Sequence, residues 1–279
     1  MAATDATPRQ RADGRSAGGK TVVFVHGSLS SGGMWKGVRR ALEGSFRVLT
    51  PDLTGYGAKR AWPHARPFRL SDEVRVLAEA VAHLDGPFDL VGHSYGGLVA
   101  LRYAWANRDR IRSLMLFEPT LFRILKDPGI GSPDAWGEID RIARVVRHGV
   151  AVGAPEAAMR HFVDYWNGKG AWKGLPEDRR EAFARQATTV SRNFDAAEGD
   201  AMPLGDLRTL EIPAFVVAGA GSTKASLATS WTVASRLPVV EHVTVGGAGH
   251  MMPVTHAQDS LRLIEGWLDK GRPPFRAAA

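Results

Sequence analysis

One short stretch, Gly-His-Ser-Tyr-Gly-Gly at 92–97, contains a side chain that can act as a nucleophile, the hydroxyl of Ser94. An apolar run at 88–91 precedes it, and a run with helical character at 98–105 follows. Strand, sharp turn and helix in this order hold the hydroxyl clear of the sheet, and glycines two positions before and after the serine allow the tight turn. The positive end of the helix favours an oxyanion at the same point. The pattern predicts acyl transfer at Ser94.

The elements that must position this serine follow an alternating order. Short apolar and β-branched runs predict five further strands, at 21–25, 46–49, 111–117, 214–218 and 239–245. Helical segments separate most of them, so we expect an α/β fold with a mostly parallel sheet of about six strands flanked by helices. Functional groups in such sheets lie beyond the carboxyl ends of the strands. His26, Asp52, Ser94 and Glu118 fall at those ends and are predicted to share one rim.

The alternation stops between residues 120 and 212, where apolar residues recur only at helical spacing. Three helices are predicted there, the third from Pro176 to Asn193. This helical segment is interpreted as a cap inserted between the Glu118 strand and the 214–218 strand. Residues 21–119 and 213–279 would then form the core, and Trp166 in the cap is a candidate for the wall of a substrate pocket.

Composition and charge restrict the class of protein. The chain has 279 residues, a net charge of +7 and no cysteine, which excludes disulfides and thiolate chemistry. The first 20 residues hold four basic and two acidic side chains, and the last ten hold three basic and none acidic. Most of the excess charge therefore lies in the tails, and we expect no nucleic-acid partner. Residues 1–20 are predicted to be a disordered tail. Nothing in the sequence suggests a membrane span or a secretion signal, so a cytoplasmic location is expected.

Three features in one order resemble the α/β-hydrolase superfamily over about residues 21–270: His26-Gly27 after the first strand, the serine turn, and Gly249-His250 after the last strand. The resemblance implies that Ser94 is the nucleophile and His250 its general base. It also implies that the backbone N–H groups of Ser28 and Tyr95 hold the oxyanion. Members usually begin with two antiparallel strands, so this chain is similar to a smaller subset without them.

The resemblance says less about which residues form the substrate pocket and which residue is the third member of the catalytic triad. The pocket is predicted to include His26, Leu29, Trp166 and Met251.

The superfamily usually has an aspartate just after the strand at 214–218, but 219–224 contains no carboxylate and Ser222 occupies that place. Some members use a carboxylate after the preceding strand, so Glu118 is predicted to orient His250. A dyad assisted by Ser222 or water is the alternative. Asp52 is expected on the far side of the nucleophile strand, as a loop-forming residue.

These residues favour hydrolysis of a small or medium hydrophobic carboxylic ester through an acyl-enzyme, with a small-molecule substrate and neither metal nor cofactor. Carbon–carbon bond hydrolysis, perhydrolysis, lyase or thioesterase chemistry on the same residues stays open. So does a receptor that keeps the fold without turnover. The sequence does not define an oligomeric state.

Overall fold

The computed structural model describes residues 20–63, 65–200 and 202–270. The tail predicted for residues 1–20 therefore lies, apart from Lys20, outside the described residues. The strands in the described part are β1 (Thr21–Val25), β2 (Arg47–Leu49), β3 (Phe88–His93), β4 (Ile111–Phe117), β5 (Ala214–Gly219) and β6 (Val240–Val245). They form one six-stranded sheet in the order β2-β1-β3-β4-β5-β6, with every pairing parallel. The predicted fold class is confirmed.

The α-helices of the described residues are α1 (Lys36–Leu42), α2 (Leu70–Val81), α3 (Tyr95–Ala106), α4 (Pro133–Ala151), α5 (Pro155–Asn167), α6 (Glu177–Arg185), α7 (Ala187–Glu198), α8 (Lys224–Arg236), α9 (Met252–Thr255) and α10 (Ala257–Lys270). None of them is long and apolar enough to cross a membrane.

The strand order explains why the site forms where it does. All six residues of β3 are buried, as a central parallel strand covered on both faces requires. Its neighbour β4 pairs so that His93 lies opposite Phe117. The residues that follow, Ser94 and Glu118, therefore leave the sheet side by side. Asp52 follows β2, two strands away on the other side of β3, as predicted.

Two apolar layers cover the sheet. One contains Leu77 of α2 and Leu98 of α3, and the other contains Val38 of α1 and Trp267 of α10. Because the sheet is packed on both faces, the carboxyl ends of its strands cannot move without disrupting the core.

The described part of the segment between β4 and β5 holds α4 to α7 and three short 3₁₀ helices. The prediction of one helix from Pro176 to Asn193 is wrong, because α6 ends at Arg185 and α7 begins at Ala187. No residue of α6 is buried, whereas α7 buries seven of its twelve residues. The break at Gln186 lets the polar part stay in solvent while the apolar part packs against the core. The last helix begins at Ala257, because His256 is not helical (φ −123°, ψ 50°).

Candidate active site

Ser94 lies at a strained turn between β3 and α3, with φ 55° and ψ −123°. A non-glycine residue in the left-handed region costs roughly 1–3 kcal/mol, so surrounding contacts must hold it. The flanking glycines allow the close approach. A Cβ on Gly92 would come 2.6 Å from the Gly96 carbonyl oxygen, and one on Gly96 would come 2.2 Å from the His26 carbonyl oxygen. The turn thus needs glycine at both positions.

The imidazole of His250 lies between Ser94 and Glu118. Its Nε2 is 2.9 Å from Ser94 Oγ, and its Nδ1 is 2.6 Å from Glu118 Oε2. His250 arrives on the loop after β6, where Gly247 has φ +74°. All three side chains are at most 7% exposed. The structure therefore joins a hydroxyl, an imidazole and a carboxylate in one buried hydrogen-bonded series.

The Glu118 carboxylate is oriented by contacts to both of its oxygens. Oε1 accepts hydrogen bonds from the Gly219 backbone N–H at 2.7 Å and from the Ser222 hydroxyl at 2.5 Å, which leaves Oε2 for His250. Burial acts to raise the pKa of Glu118. The hydrogen bond with His250 and the two donors on Oε1 outweigh burial and lower this pKa below its usual range. The carboxylate is thus held ionised beside the imidazole.

Ser222, at the position where the superfamily usually has an aspartate, bonds to the carboxylate supplied by β4. Glu118 itself has φ +46°, the second non-glycine residue of the site in the left-handed region. The end of β4, which is followed by Glu118, and the 219–222 loop after β5 thus position a single carboxylate together.

The loop after β1 lies directly against Ser94. A Cβ on Gly27 would be 3.0 Å from the Ser94 Cβ, and the next residue but one, Leu29, has φ +54°. Between them lies Ser28, and across from it Tyr95 begins α3. The first N–H groups of a helix have no partner within that helix, so the Tyr95 N–H is available to a ligand.

Two further histidines near the site have structural contacts. His26 is fully buried, its Nδ1 is 2.8 Å from the Gly27 carbonyl oxygen, and its Nε2 accepts from the Leu53 N–H at 3.0 Å. Burial lowers the pKa of His26 to about 4, so the ring is neutral at pH 7. His26 lines neither cavity at Ser94, contrary to its predicted place in the pocket, because these contacts hold it beneath the loop. His93 Nε2 lies 2.8 Å from the His250 carbonyl oxygen and fixes the loop that carries His250.

Two cavities meet at Ser94. The inner cavity has a volume of about 30 Å³, and four aromatic side chains of the insertion line it: Phe122, Phe162, Trp166 and Phe194. The outer cavity, about 210 Å³, is lined by Leu29, Trp166, Phe183, His250 and Met251, among others. Leu29, Trp166 and Met251, three of the residues predicted to form the substrate pocket, line this cavity.

Trp166 lines both cavities. Its ring stacks on the His250 imidazole with centroids 3.9 Å apart and planes at 27°. It also stacks on Phe122, at 6.2 Å. Apolar coverage of the imidazole limits the access of water to the hydrogen bonds on either side of it.

Sequence reasoning missed several residues that border Ser94. Phe194 and Ala197 lie beyond the predicted end of the third cap helix. Asn193 is the last residue of that predicted helix, and the sequence analysis assigns it no role. The signal available was the apolar spacing that continues past residue 193. Among the described residues, no cluster of three or more His, Asp or Glu side chains is arranged to hold a metal ion.

A parallel sheet with a serine turn after its third strand and a histidine after its last defines the α/β-hydrolase class. The model of the alpha/beta hydrolase family matches residues 22–262, and the chain belongs to that family.

Several relatives are named as hydrolases. The chain is 30% identical over 145 residues to lipase LipV of Mycobacterium tuberculosis, an alignment that covers 44% of this chain and 54% of the lipase. The chain thus spans about half the length of that relative. It is 28% identical to the pimeloyl-[acyl-carrier protein] methyl ester esterase of Chromobacterium violaceum, over 88% of this chain and 93% of the esterase. The structure of a thermophilic esterase from Thermogutta terrifontis aligns over 91% of both chains, with TM-score 0.69 and 26% identity. The family and these names support a hydrolase.

Proposed function

We propose that the protein is a serine hydrolase that cleaves carboxylic esters with a small or medium hydrophobic acyl group through a covalent acyl-enzyme. The observation that carries this proposal is the series Ser94 Oγ, His250, Glu118, with separations of 2.9 and 2.6 Å. A hydroxyl, a base and an acid that orients the base, within hydrogen-bonding reach of one another, are the requirements for nucleophilic acyl transfer. The esterases among the relatives support the same reaction class.

In the proposed mechanism, Ser94 Oγ attacks the ester carbonyl carbon while His250 Nε2 accepts the hydroxyl proton. Glu118 accepts the Nδ1–H hydrogen bond and stabilises the imidazolium that forms. The negative oxygen of the tetrahedral intermediate accepts hydrogen bonds from the N–H groups of Ser28 and Tyr95. His250 then donates its proton to the departing alkoxide, and the acyl group remains on Ser94. Water, deprotonated by His250, attacks the acyl-enzyme and releases the carboxylic acid.

The two cavities suggest how the ester is oriented. His250 must reach the leaving oxygen, and His250 lines the outer cavity, so the alcohol part belongs there. The acyl part belongs in the inner cavity, which Tyr95 lines. Phe194 and Ala197 also line this cavity, and its volume of about 30 Å³ limits the length of the acyl chain, whereas the outer cavity is larger.

A fluorophosphonate probe tests the nucleophile. We expect wild type to be labelled and Ser94→Ala to remain unlabelled, because the probe forms its bond with an activated serine hydroxyl. A series of p-nitrophenyl esters tests the substrate class, with the highest kcat/KM for short acyl chains. Wild type that is unlabelled and inactive on all these esters would instead indicate a receptor without turnover. Labelling without ester cleavage would indicate other chemistry at the same serine.

A further inference from the structure

Asn193 on α7 connects the helical insertion to two loops of the core. Its side chain is 4% exposed. Its Oδ1 accepts hydrogen bonds from the Ser28 hydroxyl at 2.9 Å and from the Tyr56 hydroxyl at 2.5 Å. Ser28 lies on the loop after β1, and Tyr56 lies on the loop between β2 and α2. A buried amide that satisfies two hydroxyl groups from separate loops holds them in fixed positions relative to the insertion.

The loop that carries Ser28 requires such a contact. Leu29 has φ +54°, a conformation that a leucine adopts only when its surroundings impose it. On its other side the loop already touches the nucleophile, because a Cβ on Gly27 would come within 3.0 Å of the Ser94 Cβ. The donors of an oxyanion hole must lie about 2.7–3.1 Å from the developing negative oxygen. A small displacement of this loop therefore changes how well the Ser28 N–H can stabilise the oxyanion.

We propose that Asn193 is a positioning residue for the oxyanion hole: by accepting the Ser28 hydroxyl proton in a hydrogen bond, it fixes the direction of the Ser28 backbone N–H. The inference rests on the proposed function. If Asn193 has this role, stabilisation of the oxyanion depends on how the insertion packs on the core, because Asn193 belongs to the insertion and the Ser28 N–H belongs to the core.

An amide is chemically suited to this position. It accepts both hydrogen bonds while remaining neutral, whereas a carboxylate at the same place would put a negative charge near the point where the oxyanion develops. Tyr56 remains a hydrogen-bond donor throughout the pH range of an assay, because burial raises the pKa of its hydroxyl far above the usual value.

A double-mutant cycle tests the proposal. We expect Asn193→Ala to lower kcat on p-nitrophenyl acetate by about 10- to 50-fold, less than the loss of an oxyanion donor itself, with KM changed less than about threefold. Ser28→Ala keeps the backbone N–H and removes only the hydroxyl, so it should lower kcat by a similar factor. The double variant should be no more than about twofold slower than the slower single variant, because both changes remove the same contact.

A trifluoromethyl ketone gives an independent readout, since its hemiketal oxygen occupies the oxyanion hole. Its affinity should fall by the same factor as kcat/KM in Asn193→Ala. Ser191→Ala is the matched control: Ser191 is also buried on α7, and no hydrogen bond from its side chain to the Ser28 loop is present among the described residues. This variant should behave as wild type in both measurements.

Independent effects of the two changes, which multiply in the double variant, would overturn the proposal, as would a change in KM alone or an unchanged affinity for the ketone. If Asn193→Ala fails to fold, Ser28→Ala decides the question: a lower kcat with an unchanged melting temperature supports the proposal, and an unchanged kcat overturns it. These outcomes presuppose active wild type. Wild type that is neither labelled nor active on esters would instead defeat the proposed function.

Discussion

The two sides of Ser94 are constructed differently. On one side, Glu118 follows β4 and His250 lies on the loop after β6 of one parallel sheet, and local backbone conformations hold them, such as φ +46° at Glu118. On the other side, the inner cavity is bounded by side chains such as Phe162 and Phe194, from helices of an insertion. The first side is polar and hydrogen-bonded, and the second is mainly aromatic. We infer that the sheet sets the chemistry and the insertion sets which substrate reaches it.

The largest expected effect follows from changing the acid on the sheet side. Glu118→Gln keeps the shape of the side chain but loses its charge, so the imidazolium is no longer stabilised and Nδ1 is no longer assured of donating a proton. We expect kcat to fall roughly 10³–10⁴-fold for every ester. Steady-state kinetics on a series of acyl lengths would show a uniform loss. A decrease of less than about tenfold would mean that a dyad without Glu118 suffices.

A smaller effect on the same side comes from the group that supports the acid. Ser222→Ala removes one hydrogen bond to Glu118 Oε1 but leaves the Gly219 N–H in place. The net value of one such bond to a charged group is about 1.5–3 kcal/mol, and only part of it concerns the transition state. We expect kcat to fall about tenfold. Equal losses in Ser222→Ala and Glu118→Gln would contradict the assignment of Glu118 as the acid.

The sequence predicts much of the sheet side, for physical reasons. The hydroxyl, the carboxylate and the imidazole each follow a short apolar run, and the ends of parallel strands lie on one edge whatever the connections between them do. Glycine spacing around Ser94 specifies the turn locally. For these residues, local pattern and global fold give the same answer.

The pocket side depends on tertiary packing. The apolar spacing past residue 193 indicates that the helix continues, but not that it lies beside Ser94. The break at Gln186 turns α7 onto the core and brings Asn193 and Phe194 to Ser94, and it depends on which half of the segment finds apolar surface to cover. His26 shows the opposite error, because it is predicted to line the pocket and does not. It has the residue type of a site residue at the right strand end, yet its two hydrogen bonds turn it into the core.

Enlarging the inner cavity should change selectivity with little effect on the chemistry. Phe194→Ala removes an aromatic wall of that cavity, so longer acyl chains should gain about 5- to 20-fold in kcat/KM relative to acetate. Phe183→Ala is the matched control, because Phe183 lines only the outer cavity. It should instead relax the preference among alcohols of acetate esters. If both variants changed the same preference, the assignment of acyl and alcohol to separate cavities would be wrong.

The smallest effect on activity should come from His26, which acts on stability. Its folded-state pKa of about 4 lies below the unfolded value of 6.5, so below pH 6.5 the unfolded state binds a proton that the folded state does not. The stability contribution is therefore complete above pH 6.5 and is lost as the pH falls toward 4. Between pH 7.5 and 5.5 this amounts to about 1 kcal/mol of unfolding free energy.

Urea titrations of wild type and His26→Asn at both pH values measure this loss of unfolding free energy. The variant should be less stable at pH 7.5 but lose about 1 kcal/mol less on acidification, because it has no imidazole to protonate. If wild type and His26→Asn lost the same unfolding free energy on acidification, His26 would not be the buried neutral group that supports the loop after β1.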